Sequence, residues 1–124
     1  MKNLTLILLL SFSATCWGEW TKVAESHDAD FHIDYERIKK RGAFVYYWKL
    51  TDLAKPIGGD MSAISYEIAD CEMLRIKTLQ RTTYRRSMGQ GESSQTMEAS
   101  SSDEWRHPSP HSSLEWVLKS ACGQ

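Results

Sequence analysis

Apolar residues recur at every second position in four consecutive segments of this chain. Phe31, Ile33 and Tyr35 alternate with His32 and Asp34, and Phe44, Tyr46, Trp48 and Leu50 alternate with Val45, Tyr47 and Lys49. Ile64, Tyr66 and Ile68 repeat the pattern against Ser65, Glu67 and Ala69, and Leu74 and Ile76 repeat it against Arg75 and Lys77. A helix returns to the same face after 3.6 residues and a strand after two, so these segments read as strands with one apolar face. Turn chemistry separates them: His27 to Asp30, Lys40-Arg41-Gly42, Pro56 to Asp60, Asp70 to Met73, and Gly89-Gln90-Gly91. Consecutive strands on short links imply an antiparallel meander. Trp20 to Glu25 supplies a first strand, a weaker one lies within Glu92 to Met97, and residues 37–41 are expected to make a short helical turn with Ile38 pointing inward.

The C-terminal segment changes period. Ser112-Ser113-Leu114-Glu115 has the S-x-x-E form of a capping box, in which the Ser112 hydroxyl accepts from an orphan N–H and Glu115 bonds back to the cap. Leu114, Val117, Leu118 and Ala121 then fall at i, i+3, i+4 and i+7, with Cys122 on the same stripe. Gly123 can end this helix, and Pro108-Ser109-Pro110 makes a stiff approach to it. A helix of about ten residues is marginal in water by itself and needs a tertiary contact.

At the other end, Lys2, the apolar run Leu4 to Phe12 and the small, polar exit Ser13 to Gly18 form a secretory signal pattern, too short for a stable membrane span. The expected division is 1–18 as signal peptide and 19–124 as one domain. Acylation of Cys16 is the rival, but Ser13-Ala14-Thr15 lacks the Leu and the small residue expected before a lipidated cysteine. Cleavage leaves two cysteines, Cys71 and Cys122. In an oxidising compartment these are most simply one disulfide, with two buried free thiols as the alternative. Closing a loop of this size stabilises by about 4 kcal/mol in the chain-entropy model.

Cys71 raises a question of register. Continued regularly, its strand places Cys71 with Ser65, Glu67 and Ala69, opposite the apolar residues. Either a bulge near Ala69-Asp70 reverses the direction, or the helix lies on the small-residue face of Ala63, Ser65 and Ala69. The second is favoured, because small residues allow close approach. The Phe44, Tyr46 and Trp48 face then needs another cover, from sheet curvature or from a second copy of the chain as a homodimer.

The ordered set of residues resembles the surface-adhesin protein E family of small exported bacterial proteins. It runs from Glu19-Trp20 through Ile33-Asp34, Ile38, Lys39-Lys40, Gly42 and Trp48 to Ser65, Asp70-Cys71, Arg75 and Tyr84. It continues with Met88-Gly89, Gly91, Trp105, Pro110, Ser112 and Cys122. The resemblance implies an α+β fold, a single antiparallel sheet of about six strands with a C-terminal helix packed on it and held by a disulfide. It also implies location in the periplasm or on the outer surface of a Gram-negative cell, with a host extracellular-matrix or other surface protein as a partner class.

The chain of 124 residues carries 15 basic and 16 acidic side chains, a formal net charge of -1 that gives no basic excess for duplex nucleic acid. The charge is patterned, however. Arg75, Lys77, Arg81, Arg85 and Arg86 form a run without an acid, and Arg75, Lys77 and Arg81 share one strand parity if the strand is regular. Such a stripe suits a polyanion through summed attraction and bidentate guanidinium contacts. The plainer reading is a solvated outer face neutralised across the ladder by residues such as Glu67. His27-Asp28-Ala29-Asp30-Phe31-His32-Ile33-Asp34 spaces its acids like a calcium loop but lacks the glycine such a loop needs, and a turn followed by a strand is the better reading. His32 and Asp34 on one strand face are too few for a metal site, and His107 and His111 read as exposed loop residues. No nucleophile elbow or phosphate-binding glycine loop is present, and no motif requires a cofactor. The function expected is a non-catalytic, adhesin-like envelope module that binds a host protein or a polyanion; the alternative is an accessory periplasmic protein without an extracellular ligand.

Overall fold

The computed structural model describes residues 19–99 and 105–123; the expected signal peptide, Cys16 included, lies outside them. Seven strands form one antiparallel sheet: β1 (Thr21–Glu25), β2 (Ala29–Ile33), β3 (Lys39–Arg41), β4 (Phe44–Ile57), β5 (Asp60–Asp70), β6 (Arg75–Tyr84) and β7 (Ser93–Glu98). The spatial order is β1-β2-β4-β5-β6-β7, and β3 pairs with β4 beyond the end of β2. Among the described residues one α-helix, α1 (Ser113–Cys122), follows the sheet.

The turns follow their residues. Between β4 and β5 the Gly58-Gly59 pair takes φ of 58° and 85°, the two positive values that a tight twisted hairpin demands and glycine adopts without strain. After β5, the Asp70 carboxylate accepts from the backbone N–H groups of Glu72 and Met73, bending the chain around its own side chain. The helical turn expected over 37–41 is instead a 3-10 turn at Tyr35–Arg37, and Lys39–Arg41 is strand. Asp34 is the reason: its carboxylate accepts from the Glu36 N–H and caps the turn two residues earlier. Ile38 does pack against the core.

The β4–β5 ladder is regular from Phe44↔Asp70 to Asp52↔Ser62, with no bulge near Ala69. The helix therefore lies on the small-residue face, as favoured from the sequence. Ile33, Val45, Tyr47, Ala69 and Ile76 form the core there with Val117, Leu118 and Ala121 of α1. Cys71 and Cys122 are bonded, with their Cα atoms 5.7 Å apart. The Ser112 hydroxyl accepts from Glu115 N–H at 3.2 Å as a cap should, but the Glu115 carboxylate accepts from His111 N–H at 3.3 Å and not from the cap residue itself. Ser112 N–H is already donated to the Ser109 carbonyl.

Candidate binding face

With α1 on one side, the even-numbered residues of β4 point to the other. Cross-strand pairing arranges that second side in rows: Arg41, Phe44, Asp70 and Arg75; then Lys39, Tyr46, Ile68 and Lys77; then Trp48, Tyr66, Gln80 and Glu98. The rings associate within this grid. Trp48 stacks on Tyr66 at 4.7 Å between centroids, and Tyr46 lies 6.1 Å from Tyr66. Phe44 stacks on Trp105 at 5.9 Å. The apolar face read from the sequence is thus not the main core: Phe44 is 37 % exposed and Tyr46, Trp48, Tyr66 and Ile68 are partly exposed. Of the apolar side chains on this side only Leu50 and Ile64 are buried, beneath the segment 87–89; the polar residues His32, Ser62 and Asp70 of this side are buried as well. Gly89 makes that cover possible, because a Cβ there would stand 2.7 Å from Ile64 Cδ1.

Cations border the rings. The Arg41 guanidinium carbon is 5.6 Å from the Tyr46 ring centroid, and that of Arg75 is 4.5 Å from Trp105. Arg75 also donates from Nε to Asp70 Oδ2 at 2.9 Å. Among the described residues Lys39 and Lys77 have no ion pair. The basic run of the sequence is divided by the ladder. β6 carries one extra residue between Glu67↔Thr78 and Tyr66↔Gln80, so Arg75 and Lys77 lie on the aromatic side while Arg81, paired with Ser65, lies on the helix side. The single-parity stripe is therefore corrected by the bulge. Arg85 is at the far end of the sheet, donating to the Gly58 carbonyl and 3.4 Å from Asp60, and Arg86 is exposed beside Gly91.

Glu67 does not neutralise that run. It is buried on the helix side, where Lys49 Nζ approaches its Oε1 at 2.8 Å and the Tyr47 hydroxyl donates to its Oε2 at 2.7 Å. Thr78 adds a third, longer donor at 3.3 Å. Burial pulls the Glu67 carboxyl upward, but the Lys49 charge and the two short hydrogen bonds outweigh it and hold the group below its ordinary value. Burial first, and the adjoining carboxylate second, push the Tyr47 hydroxyl well above the ordinary phenol range. Alternation does not announce this pair: from the sequence Glu67 has only the part of a cross-strand neutraliser of the basic run, and Lys49 has none.

The His27 to Asp34 segment is a turn and a strand. Asp28 is exposed, Asp30 is 3.5 Å from Lys22, and Asp34 caps the 3-10 turn. Asp34 lies past the end of β2, so it does not extend a strand face with His32. His107 and His111 are exposed. Among the described residues no three His, Cys, Asp or Glu side chains are grouped to hold a metal ion.

The disulfide-held helix on one side of a meander and the aromatic ladder on the other can be compared with known proteins. The sequence model of the surface-adhesin protein E family matches residues 20–123, nearly all of the chain after the expected signal peptide. This chain belongs to the surface-adhesin protein E family. The fold agrees: the structure of Haemophilus influenzae protein E superposes with a TM-score of 0.63 at 16% identity, over 84% of this chain and 83% of that one. A structure of protein E from non-typeable Haemophilus influenzae gives 0.58 at 16% identity, over 90% of this chain and 76% of that one. No curated protein sequence matches the chain. At that identity the shared property is the adhesin E fold, and the rings and charges above belong to this member.

Proposed function

We propose that this chain is a non-catalytic, adhesin-like binding module of the bacterial surface, and that its ligand meets the aromatic side of the sheet. Membership of a surface-adhesin family supports the class of function. The observation that carries the choice of face is the partly exposed set of rings at Tyr46, Trp48 and Tyr66, bordered by cations and opposite the side that the helix covers. Aromatic residues and arginine are the side chains that most often dominate binding energy at interfaces. A basic, aromatic surface suits the two ligand classes expected from the sequence, a host surface protein and a polyanion.

The test uses producing cells. Protease added to intact cells should digest the protein, and cells carrying Tyr46→Ser/Tyr66→Ser should adhere to host cells less than the parent while exporting equal amounts of protein. Protection from protease in intact cells, with digestion only after the outer membrane is opened, would favour the accessory periplasmic reading instead.

A further inference from the structure

We propose that the aromatic face binds a sulfated polysaccharide, laid across the strands with sugar rings on Tyr46 and Tyr66 and sulfate groups at Lys39, Arg41 and Lys77. The inference rests on the reading of this face as the binding surface and names its ligand. Three features of the grid support it.

The first is the placement of charge relative to the rings. Lys39 and Lys77 end one row whose inner members are Tyr46 and Ile68, and Arg41 is held at the Tyr46 ring. Three strand spacings separate the two ends, about 14 Å. Cations therefore stand on both sides of a ring platform, as a chain with charged substituents along it requires. A single phosphate or carboxylate would occupy one end only.

The second is the balance of sign. In the ladder around Tyr46 the one acid is Asp70, and it is already paired with Arg75. Glu98 lies across Gln80 at the edge strand β7. Lys39 and Lys77 have no ion pair among the described residues, and Arg41 has only the Tyr46 ring. Their field is thus available to an anion, and guanidinium and ammonium groups bind sulfate by charge-assisted hydrogen bonds.

The third is shape and ring chemistry. The platform is a pleated sheet surface, and two clefts among the described residues lie away from it: one between Ile76, Arg106 and Leu114 on the helix side, another at the His27 and Pro56 end. A ring face carries negative potential, so it attracts the polarised C–H groups of a sugar and repels the anionic substituents, which turn toward the flanking cations. Rings and cations then act on different parts of one ligand.

The experiment titrates the purified, disulfide-bonded protein with a heparin oligosaccharide, with the same oligosaccharide after desulfation, and with polyglutamate of similar charge. The parent should bind heparin more tightly than either control, and the affinity should fall as salt is raised, because exposed charges are screened over about 8 Å at physiological ionic strength. Lys39→Gln/Arg41→Gln/Lys77→Gln should weaken heparin at least about tenfold, the loss of several charge-assisted contacts. These side chains are at the surface, so the variant should keep the parent's melting temperature. Tyr46→Ser/Tyr66→Ser should weaken heparin and leave polyglutamate unchanged, which a purely electrostatic surface would not do. Arg81→Gln/Arg85→Gln/Arg86→Gln should bind heparin within about twofold of the parent, since those charges lie off the platform.

Equal binding of heparin and polyglutamate by the parent, or full heparin binding by the first charge variant, would overturn the proposal. So would a parent that sediments as a dimer and becomes monomeric in the tyrosine variant without any heparin affinity, because a second copy would then be the occupant. The two readings separate cleanly. If the tyrosine variant loses cell adhesion while the parent ignores heparin, the face is right and the ligand class wrong; if that variant adheres as the parent does, the face itself is wrong.

Discussion

At the scale of single residues, the Lys49 and Glu67 pair shows how strongly position decides the behaviour of a charge. An exposed ion pair contributes little, whereas removing one partner of a buried pair leaves the other uncompensated and costs about 3 to 5 kcal/mol. Lys49→Met should therefore destabilise the fold by about 3 kcal/mol at neutral pH. In the parent Glu67 is held below its unfolded value, so its contribution is present above the ordinary carboxylate range and is lost as pH falls through the folded value. Without Lys49, burial dominates and the sign reverses: the folded state binds the proton more readily, and acid should narrow the gap between variant and parent. Urea unfolding at pH 7 and pH 4.5 measures that gap; a gap independent of pH would refute this account. Asp70 gives the ordinary sign. Burial pulls its carboxyl up, the Met73 N–H and Arg75 outweigh it, and the group rests below its usual value. Asp70→Asn, which preserves the turn acceptor, should lose less melting temperature than the parent on going from pH 5 to pH 3.

At the scale of elements, α1 depends on what holds it. Val117, Leu118 and Ala121 are buried against the sheet, while Trp116 is 58 % exposed and Lys119 bonds the Glu115 carboxylate on the solvent side. A helix this short has little stability of its own, so its position rests on the stripe and on the Cys71–Cys122 bond. Cys122→Ser should lower the unfolding free energy by about 4 kcal/mol in the chain-entropy model. Increased dye binding by the newly loosened stripe and a lower melting temperature would report it. Intact mass of the parent under non-reducing conditions should be two hydrogens below the reduced form. Elsewhere, the cover made by residues 87–89 depends on Gly89, with φ of 69° and Ile64 directly behind it. Gly89→Ala should destabilise by about 1 to 2 kcal/mol, from the left-handed backbone and the crowded Cβ together.

For the whole molecule, the sheet separates two tasks. One side is sealed by the helix and contains the core; the other presents rings and cations. Leu118→Ala should therefore lower stability by about 2 to 5 kcal/mol, as large core truncations do, without changing adhesion in molecules that remain folded. Tyr46→Ser/Tyr66→Ser should do the reverse, reducing adhesion with a smaller change in melting temperature. Loss of adhesion in both variants at equal folded amounts would mean that the two sides are not independent.

Local rules were enough for much of this architecture. Alternation marked the strands, Gly58-Gly59 and Asp70 marked the hairpins, and the period change and Ser112 marked the helix. These features depend on neighbours a few residues apart, and one residue of displacement would reverse every side chain. Three things depended on partners far away in the chain. Whether Tyr46 and Trp48 form a core or a surface was decided by where the only helix among the described residues found small residues to pack on. Whether Arg81 joins Arg75 and Lys77 was decided by one extra residue in β6, which alternation alone does not announce. Whether Lys49 and Glu67 are solvated was decided by which side of the sheet carries the core, because a strand has two faces of equal geometry and only tertiary packing determines which of them loses its water.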